Sequence, residues 1–221
     1  IAYKEYLVNE FRISAEKIQV TPLGVDNHLI CPKPKSKTNS GRLTVLYHGS
    51  YIPNHGVDTI IKAAANFSND ARFSFRLIGD GEGKANAIRL AEQLGVENIE
   101  FLSKAPFQQL SDYIADADIV LGVFGDTSQA RKAMANKVLE GLAMQKPVVT
   151  GDTMSIRENF SHKEHLWLVP LGDARALTEA LIFLSADKKL MARLAEAGYS
   201  RVTDRLTPLV VGKDMIANFH R

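Results

Sequence analysis

From Leu43 onward the chain alternates between two hydrophobic rhythms. Short, nearly continuous apolar runs at Leu43–Tyr47, Phe73–Ile78, Ile99–Leu102, Asp118–Phe124, Pro147–Thr150 and Leu166–Val169 predict strands. Between them, apolar residues recur at three- and four-residue spacing over Val57–Phe67, Lys84–Leu94, Phe107–Ala115 and 135–145, which predicts helices. Three more helices close the chain near 173–185, 187–200 and 208–219. Ahead of this series, residues 2–11 predict a short helix carrying Tyr3, Tyr6, Leu7 and Phe11. Lys17–Thr21 predicts a strand that runs into a turn at Pro22–Asp26. Pro32–Arg42 is rich in Pro, Lys, Ser and Asn and reads as a linker. The expected division is therefore 1–42 as an entry segment and 43–221 as one domain.

Strands and helices alternating at this spacing imply an α/β fold: a doubly wound, Rossmann-like parallel sheet of about six strands with helices on both faces. Such sheets bind ligands outside the carboxyl ends of their strands, at a switch point. The loops at 48–56, 79–84, 102–106, 124–135 and 151–157 all follow strands and should share that rim.

Within the rim the informative stretch is 131–152. Arg131 and Lys132 precede a helix expected to start at Ala135 or Asn136, with Asn136 a fair N-cap. Val138, Leu139, Leu142 and Ala143 make its apolar stripe, and Pro147 blocks its continuation. Lys137 and Glu140 share a face three residues apart. Free N–H groups, the positive end of the helix dipole and three cations converge there, which suits an anion. A carboxylate one turn further in could hold hydroxyls, so that anion plus polyol describes a sugar nucleotide. The alternative is an ordinary exposed Lys–Glu pair on a surface helix.

Composition narrows the classes. A net charge of +2 over 221 residues, dispersed along the chain, argues against a nucleic-acid groove or a polybasic membrane patch. Cys31 is the single cysteine, so there is no disulfide framework or cysteine-based zinc cluster. The apolar runs are too short to span a bilayer. The start at Ile1 is not a signal peptide and lacks an initiator Met, which suggests a chain beginning inside a longer product.

Several catalytic patterns fail. Gly79-Asp80-Gly81-Glu82-Gly83-Lys84 is neither a dinucleotide fingerprint nor a P-loop, because Lys84 stands at the third glycine position and Ile78 where the P-loop glycine belongs. It reads as a tight turn. No histidine pair has metal spacing, no nucleophile elbow is present, and no carboxylate pair can be assigned as acid and base. His48 and His55 lie in a rim loop and read as solvated or satisfied histidines. No catalytic residue is assigned.

The order of segments resembles the C-terminal, donor-binding domain of retaining glycosyltransferases of GT-B architecture (glycosyltransferase family 4, group 1). Val20–Asp26 resembles the family's V-x-P-N-G-V-D segment, with Leu23 for the Asn. Val45–Ser50 through Gly56-Val57-Asp58 resembles its first Gly-rich loop. Leu77–Gly81, Asn98–Ser103 and Ala115–Ile119 resemble L-x-G-x-G, N-V-x-F-L-G and x-x-A-D-I. Lys137–Val149 resembles K-x-x-E-x-x-A-x-G-K-P-V-V, and Gly172-Asp173 the closing P-G-D. Two departures stand out. Lys132 occupies the place of the first Glu of the family's Glu-x7-Glu motif. Ser50 and His55 stand where Arg and Lys often hold the diphosphate.

The resemblance implies transfer of a sugar from a nucleotide-diphosphate donor with retained anomeric configuration, without a metal or other cofactor. Glu140 would hold ribose hydroxyls, and Lys137, with Arg131 or Lys132, the diphosphate. Backbone at Gly49, Ser50 and the 135–138 turn, including Asn136, would approach the phosphates, and residues 102–105, with Ser103 and Lys104, would line the base. The acceptor would sit on an N-terminal domain absent from this chain, so the chain is expected to bind donor but to be inactive alone. Nucleic acid is not an expected partner. The implied setting is cytoplasmic, with peripheral membrane association open to the full-length protein. Two alternatives are a nucleotide-sugar epimerase of the same architecture and a non-catalytic interaction domain with a degenerate donor site.

Overall fold

The computed structural model describes residues 2–36, 41–132 and 134–219. Positions 37–40 of the expected linker and Ala133 of the 124–135 loop lie outside the described residues. Six parallel strands form one sheet: β1 (Leu43–His48), β2 (Phe73–Ile78), β3 (Ile99–Leu102), β4 (Ile119–Leu121), β5 (Val148–Gly151) and β6 (Trp167–Val169). Their order is β3-β2-β1-β4-β5-β6. Val45 of β1 lies between Phe75 of β2 and Ile119 of β4, so the chain reverses its direction of travel across the sheet between β1 and β4. That seam is the switch point at which doubly wound sheets open a crevice.

Helices cover both faces, as near-continuous apolar strands require. Val45, Tyr47, Phe73, Phe75 and Leu77 pack against α2 (Val57–Ala65), α3 (Lys84–Gln93) and α7 (Ala174–Ala186). Leu46, Ile78, Val120 and Val148 point the other way, onto α4 (Phe107–Asp116), α5 (Asn136–Ala143) and the end of α8 (Lys188–Arg205). The period of two along β1 therefore puts His48 on the face of Leu46, beside α5. α1 (Ala2–Phe11) opens the described chain and α9 (Pro208–Phe219) closes it.

Three expectations needed correction. Lys17–Thr21 is not a strand: Ala15–Lys17 is a single 3-10 turn and extended chain without a sheet partner follows. Residues 18–21 pair with neither edge strand, β3 or β6, and β propensity without a partner strand makes no ladder. A short helix, α6 (Met154–Arg157), interrupts the 151–157 loop, capped by the Thr153 hydroxyl accepting from the Ile156 N–H. Asn136 does not cap α5. Ala135, in extended conformation, is the N-cap and no side chain caps that end.

The entry segment is tied to the domain. Val25 and Ile30 are buried, and the Val25 N–H donates to the Leu206 carbonyl. Lys33 reaches Ser111 and Asp112 at 2.7 Å, Lys35 pairs with Asp118, and Ser36 binds Asp116, so three acids around the end of α4 are neutralised or bonded from one short stretch. Lys146 donates to the carbonyls of Ala115 and Ala117, and burial draws its pKa down to about 8.

α5 lies close against the sheet because Gly141 lets it. A Cβ there would come within 2.9 Å of Val120 Cγ1 and Val148 Cγ2, both on buried β-branched side chains. Gly212 of α9 has nothing within 4 Å. The same substitution should thus have opposite signs. Gly212→Ala is expected to stabilise by up to about 1 kcal/mol through helix propensity. Gly141→Ala is expected to lose about 1–2 kcal/mol net, because overpacking outweighs that gain. Urea unfolding midpoints at unchanged slope measure both.

Candidate functional site

The N-terminus of α5 and the loop after β1 meet at the switch point. Lys137, in the first turn of α5, is 5% exposed, so the reading of Lys137 and Glu140 as an exposed surface pair is overturned. Its stem lies against Gly49, where a Cβ would stand 2.8 Å from Lys137 Cε and Nζ. Gly49 also has φ 140°, a conformation side chains rarely adopt. The ammonium sits 4.8 Å from the centroid of the Tyr47 ring and 3.3 Å from His55 Nδ1.

That last contact is not a hydrogen bond to a lysine in its charged form. His55 Nδ1 is 2.6 Å from the Ser50 carbonyl oxygen, which can only accept, so Nδ1 carries the proton and donates. The Tyr47 hydroxyl donates to the same carbonyl at 2.7 Å. Among the described residues the Lys137 ammonium is therefore left with an aromatic face and no acceptor. Burial pulls its pKa down to about 7, against the opposing pull of the Glu140 carboxylate. Burial and the Lys137 charge hold His55 down to about 4, so that ring stays neutral.

Glu140, one turn on, is 15% exposed at its side chain, and burial raises its pKa while Lys137 lowers it. Its Oε2 lies 3.5 Å from Nδ1 of His48. His48 is 5% exposed, and its buried Nε2 has no hydrogen-bond partner among the described residues. The expected solvated or satisfied histidine is thus neither solvated nor fully bonded.

The other expected site residues are distributed around this cluster. Arg131 is exposed and paired with Asp126. The Lys132 ammonium lies 3.6 Å over the Tyr6 ring of α1. Gly49, Ser50 and Lys104 line a cleft of about 560 Å³ with His48, Gly79 and Asp80. The floor between them is glycine because a Cβ at Gly79 would strike the Gly49 carbonyl. The Lys104 N–H donates to Asp80 Oδ2 at 2.8 Å, and Lys84 binds Asp80 Oδ1 and the Gly79 and Leu102 carbonyls. Hence the Gly-rich loop is the tight turn expected of it and also a wall of the cleft. Ser103 is exposed beside the cleft but not in its lining. The apolar end of the cleft, Phe107 and Leu110 of α4, was not anticipated. Nor were the parts played by Tyr47 and His55. The sequence signal available for His55 was its place in the loop after β1. No group of three or more His, Cys, Asp and Glu among the described residues is placed to hold a metal ion.

Chemically, the cluster offers a desolvated cation with no acceptor among the described residues and a largely buried carboxylate on one helix turn, both behind the cleft lining, to which their neighbours Gly49 and His48 contribute. An unpaired buried charge destabilises the free protein and is kept where a ligand supplies the counter-charge. In ¹³C NMR titration, Lys137 Cε should titrate near pH 7, well below ordinary lysines. Glu140→Gln removes the anion that favours the ammonium, so the Lys137 midpoint should move further down. An upward move would contradict the electrostatic arrangement.

Residues 32–201 match the model of the family described as "Glycosyl transferases group 1". The lipopolysaccharide core biosynthesis glycosyltransferase LpsE of Rhizobium meliloti (strain 1021) is 26% identical over 179 residues, covering 79% of this chain and 49% of that protein. The chain spans about half the length of the curated relatives it matches. Among solved structures, a glycosyltransferase from Rickettsia africae ESF-5 superimposes with a TM-score of 0.85 at 15% identity, over 99% of this chain and 60% of that one. Anabaena Alr3699/HepE, in complex with UDP and glucose, gives 0.80 at 19% identity, over 94% of this chain and 58% of that one. These likenesses establish the shared fold, and the family match over most of the chain places this protein among the group 1 glycosyl transferases.

Proposed function

We propose that this chain binds the nucleotide-diphosphate sugar in a retaining glycosyl transfer, with the acceptor held by another domain of a longer protein. The observation that carries the reading is Lys137: an ammonium buried at a helix N-terminus, without an acceptor among the described residues, pressed against a glycine backbone that has no side chain to displace it. The diphosphate would lie between Lys137, the uncapped first turn of α5 and the backbone of Gly49 and Ser50. Glu140 would accept from ribose hydroxyls. The base would enter the cleft between the ends of β1, β2 and β3, toward Phe107. The relatives' glycosyltransferase names and the UDP complex of a protein with the same fold support a sugar nucleotide as substrate. They give no support to the epimerase alternative or to an interaction domain.

In the reaction, the bond between the anomeric carbon and the β-phosphate oxygen breaks and one from that carbon to an acceptor hydroxyl oxygen forms. The nucleoside diphosphate departs with the bonding pair, and its freed oxygen takes the hydroxyl proton. Negative charge grows on the phosphate as the bond breaks, and a preorganised cation in a water-poor site stabilises it more than it stabilises the intact donor. Lys137 and the α5 terminus would supply this. With Arg131 paired to Asp126 and the Lys132 ammonium seated over the Tyr6 ring, the positive charge rests chiefly on Lys137. No metal is needed for this division of roles.

Calorimetric titration with UDP, GDP, ADP and UMP tests the reading. One diphosphate should bind, the monophosphate much more weakly, and Lys137→Ala should weaken the diphosphate by about 10–100-fold, the worth of one charge-assisted hydrogen bond. Binding should also take up a proton. Lys137 is half neutral near pH 7 when free and fully charged against a diphosphate, so affinity should fall from pH 7 to 9 by up to tenfold per unit. Tight binding that Lys137→Ala leaves unchanged, or affinity that rises over that range, contradicts the assignment.

A further inference from the structure

His48 is the one rim side chain whose state the binding reading leaves unexplained. It ends β1, is 5% exposed, and packs on the α5 side of the sheet. Burial and the nearby Lys137 charge drop its pKa to about 3, so the imidazole is neutral and carries one N–H. The two possible tautomers are not equal here. With the proton on Nε2, a buried N–H would have no acceptor, and the Nδ1 lone pair would face Glu140 Oε2. With the proton on Nδ1, an N–H points at the carboxylate and the orphan at Nε2 is a bare lone pair. Orphaned N–H groups are the costlier defect, and the second tautomer gains the carboxylate as well. The Nδ1–H tautomer is therefore the favoured one, with its nitrogen 3.5 Å from Glu140 Oε2. The separation of 3.5 Å is longer than a good hydrogen bond, and a small rotation of the carboxylate on ligand binding would close it.

We propose that His48 is a positioning residue that holds one oxygen of Glu140 through Nδ1–H, turns the other toward the cleft, and so sets selectivity for ribose over 2′-deoxyribose in the bound nucleotide. The inference rests on the reading of Glu140 as the ribose ligand. A protein atom acting this way explains why a histidine is tolerated with Nε2 unbonded. An apolar ring of similar size would fill the space without that cost, but would leave the Glu140 carboxylate free to rotate among its rotamers. Sites that bond a substrate hydroxyl reject the analogue lacking it, because their buried polar group is then left unpaired. That rejection is sharp only if the carboxylate is held in place.

The test compares, by calorimetry, the nucleoside diphosphate that binds with its 2′-deoxy counterpart, in the wild-type protein and in His48→Phe, His48→Asn, His48→Gln and Glu140→Gln. The wild type should prefer the ribonucleotide by about tenfold or more. His48→Phe should bring that ratio within about threefold of unity while changing affinity for the deoxynucleotide little. His48→Asn, whose amide N–H lies near the Nδ1 position, should keep most of the ratio. His48→Gln, whose amide lies nearer the Nε2 position, should not. His48→Phe combined with Glu140→Gln should lose no more than either alone, because both act on one contact. A purely structural role would lower thermal stability and weaken both nucleotides equally, with the ratio intact, and that result overturns the inference. The ratio of Asn to Gln variants decides the matter even if the Phe variant does not fold. If Glu140→Gln itself leaves the ratio unchanged, the reading of Glu140 fails first. If Glu140→Gln abolishes the ratio and the His48 variants do not, only the role of His48 fails.

Discussion

The rim is built on how closely the chain leaves β1 and β4 at the seam where the sheet reverses. The Phe124 N–H donates to the His55 carbonyl, the Gly151 N–H to the Val123 carbonyl, and the Gly172 N–H to the Phe124 carbonyl. Asn54 binds both Thr127 and Gln129 side chains across the same gap. These contacts bring the loop after β1 against the loop that leads into α5, and at the start of α5 a lysine stem, a glycine backbone and three rings share one small volume. The buried Lys137, the depressed His55 and the largely buried Glu140 all follow from that closeness. If the loops were farther apart, water would reach the ammonium and the site would be an ordinary surface lysine.

The tight packing also explains which side chains the site takes from which element. Strand β1 delivers Tyr47 to one face and His48 to the other, so one dipeptide touches Lys137 through an aromatic ring and Glu140 through an imidazole. Helix α5 delivers Lys137 and Glu140 from a single turn. The cleft for the flat, apolar part of a ligand is then bounded by loops from three adjacent strands, with Asp80 pinned by Lys84 so that its charge is already compensated. Burial raises the hydroxyl pKa values of Tyr47 and Tyr51, which keeps both phenols protonated, the first beside Lys137 and the second beside Lys84.

Much of this was legible in the sequence. The six strands were readable because each is an apolar run bounded by turn residues, and the ends of β2 and β3 coincide with the expected ones. Lys137 and Glu140 were readable as a pair because helical spacing needs no tertiary information. Burial is different. Nothing local distinguishes a lysine on the wet face of α5 from one pressed against Gly49, since that depends on a glycine eighty-eight residues away and on the sheet between them. The same holds for Arg131 and Lys132, whose partners Asp126 and Tyr6 reach them through folding of the rim loop and of α1. The failed strand at 17–21 had suitable residues and no neighbour to pair with, which no local pattern reports. His48 was undervalued because a histidine in a loop is usually solvated, and its place on the α5 face emerges only from the register of β1.

The contact between Lys132 and Tyr6 has a consequence for the N-terminal helix. A cation over an aromatic ring at a partly exposed site stabilises by about 0.5–1 kcal/mol. At that strength roughly one molecule in three to six has the contact open at any moment. A second cation thus stands one loop away from Lys137, restrained but cheaply released. Any anion that draws Lys132 off the ring loosens the hold on α1, and by thermodynamic reciprocity a tighter grip on α1 disfavours that anion to the same degree. The first helix and the rim are linked partners in one equilibrium, so whatever α1 packs against becomes a term in how the rim binds charge.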